Sequence, residues 1–467
     1  MHVVVLGGGL AGLAASYELA KGGVQVTLVE REPRIGGMAH SMQVGPFTLD
    51  HGPHRFHTRD QRLWDHLDEV VGAENLGVRD RLSRIYLRGR FFNYPLVAKN
   101  VLRNLPLHLL AKAFADYLAI RIRNQLRPIP DDCFENWVTK RFGRTLYRMF
   151  FGTYTEKTWG MSCKVISADW ASQRITLLNL WDTVKKTLLR PKDAPRTLVS
   201  EFKYPKTGGV GRIAESYHAH LERMGVRILL GTSLETVSHR EGRATAVSVR
   251  REGGEAETIR PDVVVSTIPI NRLLERLDPA PPEEVAAAMG RLRHVAIVFV
   301  YLEVAKPQVS PDHWVYLPEK HLTIHRISEF KNFSEHCAPP DRTAICAEIT
   351  CPYDGEIWNL DLARGGAIAI RDLETVGLIR PGEAKPLHLT KLRYAYPIYD
   401  LTYRENLRRG LDYLKAFQNL DTTGRQGLFR YNNMDHSIAM GRKIARSLLA
   451  GESMDHERIA AGHEYFG

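Results

Sequence analysis

Long apolar runs, repeats and paired cysteines are all missing from this sequence. No stretch of about eighteen apolar residues occurs, so the sequence predicts no membrane-spanning helix. No internal repeat or low-complexity tract is found, which argues against solenoid and disordered architectures. The five cysteines form no CxxC pair, as expected of a reduced protein. Because a glycine-rich segment follows Met1 so closely, we expect no signal peptide and a cytoplasmic location.

Acidic residues are scarce relative to basic ones. The 467 residues include 64 Lys and Arg against 53 Asp and Glu, for a formal net charge of +11. This excess favours an anionic partner, which can be a phosphate-bearing small molecule, a nucleic acid or an anionic membrane. No zinc-finger spacing or RNA-binding aromatic motif occurs, so we expect no nucleic-acid partner. The composition, 44% hydrophobic and 25% charged, is typical of a globular protein, here with room for about three domains.

The first thirty residues have the pattern of a nucleotide-binding unit. Buried strands are predicted at residues 3–6 and 24–30, with a helix at residues 10–21 between them. The loop before the helix reads Gly-Gly-Gly-Leu-Ala-Gly and fits GxGxxG. Strand, loop and helix together predict a dinucleotide site, and the structural alternative is a glycine-rich turn without a ligand.

Each glycine of the loop has a physical reason. Gly7 permits the tight turn, Gly9 lets the backbone approach a pyrophosphate, and Gly12 allows the helix to pack closely on the strand. The phosphates would lie at the helix N-terminus, where backbone N–H groups lack intrahelical partners. Glu30 ends the second strand, where a carboxylate can accept hydrogen bonds from both ribose hydroxyls.

A second glycine pair, Gly36 and Gly37, follows Glu30 closely. It offers another close approach of backbone to ligand, which suits a longer, extended cofactor, although an ordinary loop has the same composition. With Thr267 near the end of a later strand, this pattern resembles the FAD-binding flavoproteins of the amine oxidase superfamily. The resemblance implies FAD as the cofactor.

Further stretches resemble UDP-galactopyranose mutase, a flavoenzyme family of that superfamily. They occur in family order at residues 51–58, 92–95, 154–160, 173–175, 325–327, 396–397 and 431–435. The run Tyr-Thr-Glu-Lys-Thr-Trp-Gly at residues 154–160 is the most specific of them. The chain departs from the family pattern after Tyr431, where Asn432, Asn433 and Met434 replace two further tyrosines, and at Gly427, where an arginine is expected.

The resemblance implies a role for particular residues. It implies cofactor binding by Gly7, Gly9, Leu10, Ala11, Gly12, Glu30, Arg31, Gly36, Gly37, Met38, His54, Phe56, His57, Val237, Thr267, Asn433, Met434 and Asp435. It implies substrate binding by Trp159, Arg174, Arg326, Tyr396 and Tyr431, and catalytic roles for Arg174, Arg326 and His57. In the family the two arginines clamp the substrate diphosphate, which suits planar multidentate donors.

These residues also have simpler interpretations. Surface positions are ordinary for Arg174 and Arg326, and a core position is ordinary for Trp159. His51, His54 and His57 recur at every third position in a Gly/Pro-containing loop, which is poor metal-ligand geometry, so no metal is predicted. Asp435 is predicted to cap the last helix, residues 435–449, whose N-terminal partial charge would stabilise an anionic reduced flavin.

The predicted fold class is α/β, or α+β overall, with a discontinuous Rossmann-like FAD-binding domain. We expect this domain to comprise residues 1–90, 201–275 and 405–467. Residues 91–200 are predicted to form a helical insertion and residues 276–404 a sheet-containing substrate domain. Within residues 79–127 we expect long helices with basic and apolar residues; the usual interpretation is packing on the domain, and weak peripheral membrane contact is the alternative.

Three functions compete. By resemblance, the first is mutase-like isomerisation of a nucleotide-diphosphate sugar or another anionic small molecule. The sugar would change between its pyranose and furanose forms, and reduced flavin N5 would attack its anomeric carbon. The second is an FAD-dependent oxidoreductase of the amine oxidase or protoporphyrinogen oxidase type, since fold alone does not fix chemistry. The third is a flavin-bound or membrane-docked protein without enzymatic activity. Prior flavin reduction is needed only by the first, and stoichiometric oxidant consumption marks the second.

Overall fold

The computed structural model describes residues 1–94, 96, 98–174 and 201–452. Residues 175–200 lie outside this range, as does the side chain of Arg174 at the end of its helix. The mixed α/β fold class is confirmed, with helices packed on several sheets. Among the described residues, no helix is both long enough and apolar enough to cross a bilayer.

A five-stranded parallel sheet contains the amino-terminal strand at its centre. Its order is Leu420–Thr422, Val263–Ser266, His2–Leu6, Gln25–Val29 and Arg227–Leu229. The central strand is aliphatic and buried from Val3 to Leu6, because helices cover both faces of a parallel sheet. Every strand comes from residues 1–90, 201–275 or 405–467. The division of the chain into domains stays a prediction.

Two helices close this sheet on one side. The predicted first helix spans Leu10–Lys21, and the last helix, Met434–Ala450, packs along it. Glycine allows the two helices to approach closely, since a Cβ built on Gly441 would lie 2.0 Å from the carbonyl oxygen of Ala11. Within the first helix, a Cβ on Gly12 would lie 1.9 Å from the carbonyl oxygen of Gly7 in the preceding loop. Gln61–Val71 and Gly211–Arg223 pack beside them.

A four-stranded sheet lies next along the chain. Its order is Ala256–Ile259, Arg243–Arg251, Thr232–Arg240 and Leu277–Asp278. Arg243–Arg251 pairs antiparallel with Ala256–Ile259 on one side and with Thr232–Arg240 on the other. That strand is rich in polar and partly buried residues, so its hydrophobic pattern is weak.

The largest sheet has seven strands. Its order is Ala384–Pro397, His294–Val304, Thr343–Cys351, Arg326–Glu329, Trp314–Tyr316, Ser83–Leu87 and Arg90–Asn93. The last two lie within residues 79–127, where long helices were expected, and they are strands instead. They form a hairpin in which Arg88 and Gly89 both have positive φ, 54° and 72°, and such turns match the twist of the paired strands.

The remaining elements complete the molecule. Two small ladders pair Ser41–Val44 with Phe47–Asp50 and Leu76–Asp80 with Glu201–Pro205. Helices before residue 175 are Ala98–Asn104, Leu107–Leu126, Phe134–Phe142, Arg144–Leu146, Thr153–Trp159 and Ala168–Arg174, with a π-helical segment at Tyr147–Gly152. Later helices are Ile270–Leu274, Glu283–Gly290, Leu362–Val376, Tyr403–Leu414 and Gly424–Gly427. Short 3₁₀ turns occur at Ala73–Asn75, Phe330–Asn332 and Glu335–Cys337.

Candidate functional site

A cavity of about 1290 Å³ extends from the glycine-rich loop to the seven-stranded sheet. Ordinary ligand pockets measure roughly 300–1,000 Å³, so this one has room for an extended ligand and a second molecule. Of the residues predicted to form the site, the cavity is lined by Gly7, Gly9, Leu10, Ala11, Glu30, Arg31, Gly36, Gly37, Met38, His54, His57, Trp159, Thr267, Arg326, Tyr396, Tyr431, Asn433 and Met434.

The two predicted glycine pairs form one continuous surface. Gly9 and Gly36 make a parallel bridge, and the N–H of Gly36 donates to the carbonyl oxygen of Gly8 at 2.8 Å. A Cβ on Gly37 would lie 3.2 Å from the Cα of Gly9, whereas one on Gly9 would meet nothing within 4 Å. The backbone at Gly9 therefore faces open cavity, as a close ligand approach requires.

Glu30 stands at the edge of this surface. Its carboxylate accepts hydrogen bonds from the N–H of Gly8 at 2.6 Å and from that of Glu32 at 2.8 Å. Burial raises the pKa of Glu30, and these two N–H donors partly oppose the effect. The carboxylate is held in place by backbone, and it lines the cavity where a ribose would be bound.

The N-terminus of the last helix also reaches the cavity, but its cap differs from the prediction. Asn433 is the N-cap, in a reciprocal arrangement with His436, and helical structure begins at Met434. Asp435 lies inside the first turn and is buried, and this burial raises its pKa to about 7. The capping assignment to Asp435 was wrong because Asn is as good a cap as Asp and sequence alone does not locate the first helical turn.

Arg326 is held by a carboxylate that sequence analysis did not identify. Its guanidinium donates to both oxygens of Glu348, at 2.7 and 2.6 Å, and to the hydroxyl of Tyr396 at 3.2 Å. The side chain of Glu348 is fully buried and that of Arg326 nearly so. Burial alone would lower the pKa of Arg326, but Glu348 raises it well above its usual value, so the guanidinium stays charged.

Aromatic rings form the wall beside Arg326. Trp159 and Trp170 pack edge to face at 4.8 Å, Trp170 meets Tyr431 at 4.5 Å, and Tyr431 meets Tyr396 at 4.9 Å. The guanidinium of Arg425 lies 4.7 Å from the centre of the Tyr431 ring. Trp170, on the helix Ala168–Arg174, was not identified from the sequence and also lines the cavity.

His54 and His57 line the cavity, as the resemblance implies. His54 is partly buried, its enclosed Nδ1 has no hydrogen-bond partner, and desolvation together with nearby Arg326 and Arg425 lowers its pKa to about 3. Its ring is therefore neutral over the physiological range. Phe56, between them, faces away from the cavity and packs on Trp64 at 5.3 Å.

Four of the predicted site residues do not line the cavity, and the side chain of a fifth is not described. Gly12 acts in helix packing, and Phe56 and Asp435 are buried behind the wall. Val237 is fully buried in the core of the four-stranded sheet, where Leu234 of the same strand reaches the cavity instead. The side chain of Arg174 lies outside the described residues.

Comparisons with known proteins identify related chains. A family model described as flavin containing amine oxidoreductase matches residues 10–429. A probable UDP-galactopyranose mutase of Klebsiella pneumoniae is 25% identical over 170 residues, which cover 34% of this chain and only 41% of that protein. Protoporphyrinogen oxidase of Bos taurus is 24% identical over 96% of this chain and 98% of its own length. The crystal structure of reduced UDP-galactopyranose mutase superposes with a TM-score of 0.84 at 21% identity, covering 98% and 96% of the two chains, and so shares the fold.

Proposed function

The chain belongs to the flavin containing amine oxidoreductase family and is a flavin-dependent enzyme, and we propose that it binds FAD and isomerises a nucleotide-diphosphate sugar. The fold is shared with UDP-galactopyranose mutase. Fold does not determine chemistry, so the proposal depends on the cavity itself.

The cavity fits an extended dinucleotide. The open face at Gly9 admits a pyrophosphate, the N-terminus of the first helix favours its charge, and Glu30 offers acceptors for ribose hydroxyls. Asn433 and Met434 present the start of the last helix to the same cavity, where its partial positive charge favours electron-rich atoms. When bound, a reduced flavin supplies a nucleophilic nitrogen, so the protein needs no side-chain nucleophile.

One observation carries the substrate proposal: a charged guanidinium, a phenol and an aromatic wall meet in the cavity. Arg326 with the hydroxyl of Tyr396 can donate to a diphosphate, and Trp159 and Tyr431 offer faces for a base or sugar ring. Neutral His54 excludes a further positive charge from the wall and can accept or donate one hydrogen bond. Arg174 is proposed to complete the clamp.

A second candidate, a net oxidoreductase, is favoured by the Arg326–Glu348 pair. Glu348 neutralises much of the positive charge of Arg326 that a diphosphate would need. In addition, the sequence match to protoporphyrinogen oxidase extends along nearly the whole of both chains. An uncharged substrate requires no free guanidinium. The two candidates differ in their use of electrons, since isomerisation consumes none.

The test compares the two chemistries on one preparation. Flavin released from purified protein is identified, and the enzyme is reduced with dithionite and incubated with UDP- and dTDP-sugars while isomers are separated by chromatography. Isomer formation only after reduction, with no net oxidant consumed, supports the mutase; steady oxygen or acceptor consumption with no isomer supports the oxidoreductase.

Variants locate the diphosphate site. Arg326→Ala should lower turnover or substrate affinity by about one to two orders of magnitude while flavin content stays constant, since a charge-assisted hydrogen bond contributes about 1.5–3 kcal/mol. Arg84→Ala is the matched control, because Arg84 makes a similar bidentate pair with buried Asp312 outside the cavity lining. Full activity in Arg326→Ala would contradict the proposed site.

A further inference from the structure

The helices Ala98–Asn104 and Leu107–Leu126, hereafter the basic helical pair, expose an unusual amount of apolar surface. Six of the sixteen large hydrophobic side chains exposed by the described residues belong to this pair. They are Leu102, Leu107, Phe114, Leu118, Ile122 and Leu126. Leu107 and Leu126 are 81% and 83% exposed, so the described part of the chain leaves them almost wholly in solvent.

The exposed side chains of the longer helix lie on one face. Leu107, Phe114, Leu118, Ile122 and Leu126 follow one another at intervals of seven and four residues, the spacing of a single helical stripe. Small Ala111, Ala115 and Ala119 fill positions between them. The stripe is continuous over the full length of the helix.

A different face of this helix makes the contacts with the rest of the protein. Ala113, Tyr117 and Ile120 are buried, and the helix packs on Phe134–Phe142 and Arg144–Leu146. The expected packing of these helices on the domain accounts for only part of their apolar surface. Leu105 is buried, whereas Phe114 points to solvent.

The charges beside the stripe have one sign. Lys99, Arg103, Lys112, Arg121, Arg123 and Arg127 are all exposed. Asp116 is the single acidic residue between positions 98 and 127, and its carboxylate accepts a hydrogen bond from the N–H of Thr145 on the inner side. Across the parts of the chain that the structure describes, no ion pair is formed by these six cations.

Apolar stripe and unpaired cations together suit one type of partner. An interfacial helix buries its apolar face at the boundary of headgroups and acyl chains while flanking Lys and Arg meet anionic lipid. On a helical wheel, Arg121 borders the stripe on one side and Lys112 and Arg123 border it on the other. We propose that the basic helical pair docks the enzyme on an anionic membrane surface.

The position of the pair relates this surface to the candidate site. The pair rests on a small core that contains Ile85, Leu105 and Phe150, and Ile85 and Phe150 also line the cavity. Leu96, just before the first helix, lines it as well. The basic helical pair is therefore joined to the cavity wall through a shared apolar core. The proposal does not depend on which reaction occurs there.

Sedimentation with vesicles tests the proposal on the full flavin-loaded chain. Wild-type protein should pellet with vesicles of equal parts phosphatidylcholine and phosphatidylglycerol, and much less with pure phosphatidylcholine or at high salt. Lys112→Gln with Arg123→Gln should lower the partition coefficient about thirtyfold, since each cation near such a surface contributes about 1 kcal/mol. Phe114→Ser with Leu118→Ser should lower it at least about tenfold.

Matched pairs elsewhere provide the controls. Val165→Ser with Leu401→Ser removes apolar side chains of similar exposure, and Arg251→Gln with Arg260→Gln removes the same charge from an exposed sheet. Both control pairs should bind vesicles like wild type. Equal loss in the controls, or no preference for anionic vesicles, would overturn the proposal. A dimer in analytical ultracentrifugation that Phe114→Ser with Leu118→Ser abolishes would also overturn it, by making a second copy the partner.

Discussion

The guanidinium of Arg326 donates to both carboxylate oxygens of Glu348, and the two residues lie directly opposite each other on adjacent antiparallel strands. Glu348 is fully buried, so water does not compete for its charge. The Cβ position of Gly52 lies 3.2 Å from the same carboxyl, which places the pair beside the loop that carries His54. An anionic ligand at Arg326 must share the guanidinium with an anion already present.

This arrangement predicts that Glu348 lowers anion affinity at the site. Glu348→Gln should lower the free energy of unfolding by about 3 kcal/mol, because a buried cation loses its partner. It should also tighten binding of UDP, used as an anionic probe and measured by calorimetry. Asp312→Asn, which breaks the similar pair with Arg84 outside the cavity lining, should lower stability and leave UDP binding unchanged. Weaker UDP binding in Glu348→Gln would contradict this account.

The open face at Gly9 predicts a variant that folds but loses its flavin. Gly9 has φ of −73° and no atom within 4 Å of its Cβ position, so Gly9→Val introduces neither strain nor a clash in the folded chain. The added side chain occupies cavity space where a pyrophosphate would approach. Flavin absorbance per mole of protein should fall to near zero. Gly290→Val, whose Cβ position also meets nothing within 4 Å but which lies outside the cavity lining, should retain full flavin content.

Close packing of the first and last helices predicts opposite effects for two Gly→Ala changes. A Cβ at Gly441 lies 2.0 Å from the carbonyl oxygen of Ala11, so Gly441→Ala must push the helices apart and should cost about 1–3 kcal/mol. Gly290→Ala meets nothing and should be neutral or stabilising by up to about 1 kcal/mol, given the helix preference for Ala. Urea unfolding measures both, and stabilisation by Gly441→Ala would show that the helices are not in contact.

Buried Asp435 predicts how stability depends on pH. Its pKa is about 7 in the folded chain and near 3.8 when exposed, because burial disfavours the carboxylate. The folded state therefore binds the proton more tightly, and the free energy of unfolding should fall as pH rises from about 4 to about 7, by up to about 1.4 kcal/mol per pH unit. Asp435→Asn should remove this contribution, so the free energy of unfolding of the variant should increase relative to that of wild type as pH rises. Parallel pH profiles for the two proteins would refute the assignment.

Much of the amino-terminal unit and the family could be predicted from sequence. The helix at Leu10–Lys21 and its flanking strands were found within a residue or two, the family assignment is confirmed, and a flavin cofactor is supported while FAD itself stays a prediction. The roles of individual site residues stay predictions as well. The strands at Ser83–Leu87 and Arg90–Asn93 lie in a region where long helices were expected, because short segments that mix apolar and basic residues suit both structures.

The sequence by itself determined those features that depend on neighbours along the chain. In the loop Gly7–Gly12 the turn, the helix start and the spacing to Glu30 are all local, so residue types alone specify them. Tertiary structure decided the Arg326–Glu348 pair, the place of Trp170 in the cavity wall and the outward direction of Phe114. Those depend on strand register and on which helix face meets the core, and both are set by contacts between segments far apart in sequence.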